Sequence, residues 1–447
     1  MKHQKFAYRN LDELKEDILR MGIDLPVSEQ LDILKTPLSL YDKQLSNRLV
    51  NHPMEGCDGT VEGAPGELTF RRYERFGAGG VGTLWVEACA VCNEGRANAR
   101  HLFLNRDHLP AFKKLYDSMI TATKTTSGED FRPYTVLQLT HAGRYSKPDS
   151  DATAIVAVAE NPCLDPVSNP KRRLITDEEL EQTEDLYVNT AILAKETGFD
   201  AVDIKGCHRY LNSELLSAHT REGRYGGSFE NRTRFLLNII DKIKANVDID
   251  ITTRINAYDA IPYPYGWGTC ENGLPSLEEP KRLIKILREK GVQMVNISTG
   301  NPYYNPHIGR AADVGPYTAP EHPIESAARM LQIIRELKVA VPDMKFVGTG
   351  FTWFREYGAN IAAGCIEQKW MDLAGFGRQS FAYPDFARDI ITQGAMERQK
   401  CCITCTKCTE LMRFGGQAGC VIKDSRVYLP LWREATNGRT MMSTKPF

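Results

Sequence analysis

The 447-residue chain is short of net charge, of long apolar runs and of a dinucleotide-binding turn. Its 56 basic and 57 acidic side chains leave a formal charge of -1, so no basic field points to nucleic acid or an anionic bilayer as a partner. No stretch reaches the roughly 20 consecutive apolar residues that span a bilayer. The opening segment MKHQKFAYRNLDELKEDILRMGIDL is charged throughout and lacks the apolar centre of a signal peptide. The expectation is a cytoplasmic protein. The glycines of GAGGVG at 77–82 precede a strand-like run instead of following one, the wrong order for a nucleotide fingerprint. They read as a tight entry into that strand.

What the chain does have is a long alternation of apolar, β-branched runs with helix-length amphipathic segments, the pattern of repeated βα units. The runs are 47–53, 82–91, 134–141, 199–206, 249–257, 294–300, 345–350 and 371–377. Eight of them fit an α/β fold of the (β/α)8 TIM-barrel type. Between them lie clear helices, one predicted from Asp177 with Thr176 as N-cap and Gly198 as stop, another marked by Leu283, Ile284 and Leu287 and ended by Gly291. Residues 1–36, with Leu11, Leu14, Ile18, Leu19 and Leu34 in helical spacing, form an N-terminal extension. The barrel is expected over 37–395, and 396–447 form a short cysteine-bearing segment and tail.

The fourth run ends in FDAVDIKGCHRY, which delivers Lys205, His208 and Tyr210 to the C-terminal end of a barrel strand, where such barrels place their chemistry. Downstream stand YGGS and ENR. This block resembles the old yellow enzyme (NADH:flavin oxidoreductase) family, in its 2,4-dienoyl-CoA reductase and 2-enoate reductase branch, without that branch's C-terminal FAD and NAD(P) domains. The resemblance runs over about residues 37–425. It implies FMN, with the backbone of Pro53, Met54 and Glu55 in NHPMEG along the flavin ring, Ala88 of VEACAV beneath it, Gln138 of VLQLTHAGR on its pyrimidine edge and Arg254 of TTRINA near N1. It also implies a phosphate site at Gly348, Gly350, Gly377 and Arg378, where barrel phosphate sites lie. The family's second phosphate arginine is Phe351 here. Any one such glutamine or arginine could instead be a structural hydrogen bonder.

For chemistry, the resemblance makes Tyr210 the proton donor to a double bond receiving hydride; a phenol stays protonated at neutral pH. The alternative is a tyrosine packed at the barrel rim. Lys205 and His208 occupy the positions that activate a substrate carbonyl, with lysine replacing the family's histidine. Lys205 is read either as such a group or as a structural partner of Asp203 or Glu214. The aromatic loops 260–268 and 301–307 suit a flat apolar substrate, with Tyr303, Tyr304 and an assisting His307 as candidates.

Twelve cysteines are unlikely disulfide formers in a reducing compartment. Seven are scattered, as buried small hydrophobes are. Five lie within Cys401–Cys420, and Cys402-x2-Cys405-x2-Cys408-x11-Cys420 has the compact run of an iron–sulfur site more than the paired C-x2-C of zinc ribbons. The resemblance implies a [4Fe-4S] cluster on these four. The expected activity is reduction of an activated C=C bond of a small unsaturated substrate (an enoate, enoyl-CoA or enone). Electrons would come from an external donor protein through the cluster, or from NAD(P)H directly. An oxidative amine or alicyclic dehydrogenase, and an electron-transfer subunit with no organic substrate, are the alternatives. A homo-oligomer is compatible with the sequence.

Overall fold

In the computed structural model, which describes residues 4–165, 171–313 and 318–437, eight parallel strands close into a barrel in chain order. They are β1 (Leu49–Asn51), β2 (Thr83–Ala90), β3 (Tyr134–Thr140), β4 (Ala201–Ile204), β5 (Asp250–Tyr258), β6 (Met294–Thr299), β7 (Lys345–Gly348) and β8 (Leu373–Phe376). Pairing of Ala374 with Leu49 closes the ring. Each strand overlaps one of the eight apolar runs. They are continuous apolar runs because parallel strands are covered on both faces. The interior is filled by side chains such as Val50, Trp85, Val136, Met294 and Val347, packed on Leu38, Leu40 and Leu45 of a small antiparallel hairpin (Leu38–Leu40 with Lys43–Leu45) below the strands. The bottom of the barrel is therefore plugged, and only the C-terminal end is open to ligands.

The helices follow their sequence signals. Thr176 caps Asp177–Thr197 in a reciprocal box with Glu179, and Gly198 ends it in the left-handed conformation. The GAGGVG turn packs tightly on Asn47, whose side chain accepts the Gly82 N–H at 2.7 Å. A Cβ at Gly82 would lie 2.3 Å from the Asn47 carbonyl oxygen, so that glycine is required for the close approach.

Two additions flank the barrel. The N-terminal extension forms the helix Leu11–Arg20, burying Leu14 and Ile18, whereas Leu19 is 81% exposed, one residue off the buried stripe. Phe6 and Tyr8 pack edge-on against Trp353, with ring centroids 5.4 and 6.2 Å away. The C-terminal segment carries Lys407–Arg413 and Ser425–Thr436, packed through Leu411, Val421, Tyr428 and Trp432. It is tied down by Arg71 on Asp424 at 2.7 Å and by the Ala418 N–H on the Gly56 carbonyl at 2.6 Å. Residues 438–447 of the expected tail lie outside the described residues. Among the described residues no helix is long and apolar enough to cross a membrane.

Candidate active site and cysteine centre

The loop after β1 carries Glu55 over the open end of the barrel, and a buried ionic cluster fixes it there. Arg72 lies between Asp58 and Glu87, its guanidinium 2.7 Å from Asp58 and also bonded to Glu87. The other Glu87 oxygen accepts the Gly56 N–H at 2.7 Å. Opposite, β4 ends in a turn in which His208 and Arg209 both take left-handed backbone, φ 63° and 62°. Such strain persists only where the surroundings enforce it; here the buried Arg209 guanidinium bonds Ser217 and, at 3.2 Å, Asp259. The turn sets Tyr210 at the N-cap of Leu211–Leu216.

These two loops meet. Lys205 Nζ donates to Glu55 Oε1 at 2.8 Å, and Tyr210 Oη donates to the same carboxylate at 3.1 and 3.2 Å. Lys205 thus pairs with neither Asp203 nor Glu214. Asp203 accepts from Trp85 Nε1, Gln138 Nε2 and the Arg254 N–H, while Glu214 is bonded to Arg144. Burial alone would raise the Glu55 carboxyl, but Lys205 first, then His101 and the hydrogen bonds, hold it down at about 2. Burial and then the Glu55 charge push the Tyr210 phenol well above its usual value. Burial raises Asp203 to about 6 against its three donors.

Around this line lies a cavity of about 250 Å³. Of the residues expected to hold a flavin or act on substrate, Pro53, Met54, Glu55, Gln138, Arg254, Gly350, Gly377, Arg378, Lys205, His208 and Tyr210 line it together. Three do not. Ala88 is fully buried in β2 and its carbonyl receives His101 Nε2 at 2.8 Å. Gly348 faces Met371, whose sulfur would lie 2.2 Å from a Cβ there. The His307 ring is directed at Glu321, 4.0 Å away. Tyr303 lines the cavity, stacked on Tyr145 at 4.0 Å between centroids.

Two lining residues, His52 and Arg310, carried no sequence signal, whereas His208 was expected. His52, with Nδ1 3.1 Å from the Asn296 amide, and His208, 3.2 Å from Ser298 Oγ, are both kept neutral by burial and the nearby Arg254 charge. Arg310, from the loop after β6, is half-buried, and desolvation followed by repulsion from Arg378 and Arg413 lowers it to about 9. It donates to Thr409 Oγ1 at 3.2 Å. Buried nitrogens Arg254 Nε and Arg378 Nη1 have no partner among the described residues. Arg254, Arg310 and Arg378, which have no carboxylate partner among the described residues, suit an anion. At Gly377 a Cβ would come within 3.0 Å of the Met54 sulfur, and at Gly350, φ 117°, within 2.7 Å of Met330. The backbone therefore stays bare at both glycines. These features fit a flavin phosphate.

Beside this cavity is a second one of about 20 Å³ lined by Cys402, Cys405, Cys408 and Cys420 together. Cys408, Arg378 and Phe381 line both cavities. Left-handed Thr404 and Thr406, φ 53° and 64°, curl the chain around the space. The N–H groups of Thr404 and Lys423 point at Cys402 and Cys420 sulfur at 3.4 and 3.3 Å. Cys401 does not join; its Sγ is 3.4 Å from the Glu397 carbonyl. Four sulfurs around one space, two with N–H donors, fit a thiolate-held centre. Cys92, Glu94 and His141 also converge within 4.8 Å, but Glu94 is paired with Arg173. His141 Nδ1 accepts the Gly143 N–H at 3.1 Å, which leaves the hydrogen of the neutral ring on Nε2 and no lone pair for a metal.

Residues 34–274 match the model of the NADH:flavin oxidoreductase / NADH oxidase family. An NADPH dehydrogenase of Geobacillus sp. (strain WCH70) is 33% identical over 273 residues, which are 60% of this chain and 73% of that protein. Among solved structures, 2-naphthoyl-CoA reductase in complex with 2-naphthoyl-CoA superposes with a TM-score of 0.73 at 19% identity, over 90% of this chain and 58% of its own. Histamine dehydrogenase from Rhizobium sp. 4-9 superposes with a TM-score of 0.68 at 18% identity, over 88% and 52%. The chain thus spans little more than half the length of these two structures, and they show its fold. The chain therefore belongs to the NADH:flavin oxidoreductase / NADH oxidase family, that of old yellow enzyme, as an FMN-dependent oxidoreductase.

Proposed function

We propose that the chain is an ene-reductase that saturates an activated C=C bond, with electrons entering through a [4Fe-4S] cluster on Cys402, Cys405, Cys408 and Cys420. The observation that carries this reading is that Tyr210 lines the same cavity as Arg254 and Arg378. A proton source and the flavin-binding cations thus share one space. Bound there, FMN supplies the hydride. Arg378 and Arg310, with bare backbone at Gly350 and Gly377, would hold its phosphate, and Gln138, Arg254 and the 53–55 backbone its ring. His208 is a neutral donor for the substrate carbonyl, the stacked Tyr145 and Tyr303 form an aromatic wall, and Tyr210 supplies the proton to carbon. Ala88, Gly348 and His307 support these elements from outside the cavity.

Residues 396–447 then form the iron–sulfur segment. Its Cys408 lies on the wall of the flavin cavity, which provides a short path for electrons from a donor protein; NAD(P)H is the other source. An acidic pocket walled by tyrosines would also suit a cationic amine, but the Lys205 ammonium already occupies that place on Glu55, with Nζ 3.7 Å from the Tyr210 ring centroid. That favours a neutral reacting group and ene-reduction over amine oxidation.

The test is protein purified without oxygen and assayed for flavin, iron and sulfide, then reduced by dithionite and mixed with 2-cyclohexenone. Flavin with about four irons per chain and reoxidation by the enone are expected. Flavin with zinc would remove the cluster, and a stable reduced flavin would remove ene-reduction. Within this reading Arg310→Met is expected to weaken FMN binding about 10- to 100-fold in Kd, the value of one charge-assisted hydrogen bond, measured by fluorescence of the released flavin.

A further inference from the structure

Tyr210, Glu55 and Lys205 form a hydrogen-bonded line of which the ene-reductase reading uses only the last phenol. All three side chains are largely withdrawn from solvent, Lys205 at 4% and Glu55 at 17% exposure. The Tyr210 proton points at a carboxylate, 3.1 Å away. If Tyr210 gave its proton to carbon unaided, a phenolate would stand against Glu55, two like charges at hydrogen-bond distance in a buried site. Such a phenol is a poor acid, because a general acid works best when its pKa lies near the operating pH. A second proton is two hydrogen bonds away, on Lys205.

We propose that Glu55 and Lys205 form a proton relay behind Tyr210, the carboxylate passing a proton from the ammonium to the phenol as the phenol gives its own to carbon. The inference rests on the ene-reductase reading. In the step, the Tyr210 O–H bond breaks and a C–H bond forms at the carbon next to the one that has received hydride. A Glu55 O–H bond, formed as a Lys205 N–H bond breaks, gives its proton to Tyr210 Oη. No group in the relay is oxidised or reduced. Tyr210 and Glu55 end as they began, and Lys205, left as a neutral amine, recovers a proton from solvent through the cavity it lines.

The neighbouring titratable groups have other engagements. The His101 Nδ1 accepts the Ala97 N–H at 2.8 Å and its other nitrogen is on Ala88. Cys57 Sγ receives Asn98 at 3.2 Å, Asp58 and Glu87 are held by Arg72, and Tyr145 Oη receives Asn301 at 3.4 Å. Tyr303 stacks on Tyr145 at 4.0 Å between centroids.

Lys205→Arg separates proton supply from charge, because arginine keeps the ion pair with Glu55 yet does not release a proton. Flavin-loaded, prereduced protein is mixed with 2-cyclohexenone in H2O and in D2O, and flavin reoxidation is followed. Lys205→Arg and Glu55→Gln are each expected to slow reoxidation by about tenfold or more with flavin content unchanged, and the proton inventory, curved in the wild type, becomes linear. A Lys205→Arg variant that matches the wild-type rate and inventory overturns the relay, with ene-reduction intact. No reoxidation of the wild type overturns ene-reduction and the relay's use with it. Ultraviolet titration of Tyr210, taken as the difference from Tyr210→Phe, reports the line without turnover. Glu55→Gln should lower the phenol pKa by about one unit or more, and an unmoved titration overturns the coupling.

Discussion

Cys408→Ser is expected to leave FMN bound while the iron and sulfide content of anaerobically purified protein falls from about four each per chain to below one. Reduction of the flavin by a one-electron donor should fall with it by tenfold or more, an order set by the loss of one ligand's contribution to a metal site. The expectation follows from where the sulfur lies. Cys408 is the cysteine whose side chain lines both the four-sulfur space and the flavin cavity. Serine offers a hard oxygen, protonated at neutral pH, in place of a soft thiolate. Cys401→Ser is the control, since its sulfur turns to the Glu397 carbonyl instead of the cluster space. It should retain the full iron content. Loss of iron from both variants, or from neither, would refute the ligand set Cys402, Cys405, Cys408 and Cys420.

The sequence proposes the four cysteines 402, 405, 408 and 420 from the compact C-x2-C-x2-C run, and the fold brings these four around one space while Cys401 turns to the Glu397 carbonyl. The barrel was legible as well. Its strands are covered on both faces, so each appears as a short apolar run such as VLQLT or FDAVDI, and helices with caps at Thr176 and Gly198 separate them. The cavity residues at strand ends were legible through family order. What the sequence hid are contacts between distant loops. Nothing near Lys205 announces that its partner is Glu55, 150 positions earlier, when Asp203 and Glu214 are closer in the chain. Arg310 was hidden likewise: it sits in the loop after β6, far from the phosphate motif of β7 and β8, and burial brings it beside Arg378. His307 had the right residue type in the right loop, but Glu321 draws its ring away from the cavity, an orientation that spacing does not encode.

Tyr210→Phe is expected to lower double-bond reduction by about 10²- to 10⁴-fold, the range for loss of a general acid, with the flavin still bound and still reducible. Phenylalanine keeps the ring, and with it the contacts to Tyr145, 6.0 Å away between centroids, and to Lys205 above its face. The change therefore removes one hydroxyl from a fold that is otherwise undisturbed. Glu55 loses a donor but keeps Lys205 at 2.8 Å, so its charge stays paired and the carboxylate remains below the usual range. Single-turnover traces separate the two halves of the cycle: flavin reduction should be unchanged, and only reoxidation by the enone should slow. An equal slowing of both halves would mean that the substitution perturbs the flavin site as a whole. Unchanged reoxidation would assign the proton to another group, of which His208, 3.2 Å from Ser298 and kept neutral by burial, is the next cavity side chain able to donate. The pH dependence carries the same distinction. Glu55 is held near 2 and Tyr210 well above its ordinary value, so neither changes protonation between about pH 5 and 9, the span between the ordinary carboxyl and phenol ranges. Wild-type reoxidation should be flat across that window. A step within it would assign control of the transfer to a group that titrates there, Asp203 at about 6 being the one bonded to Gln138 and the Arg254 N–H, and not to the Tyr210–Glu55 pair.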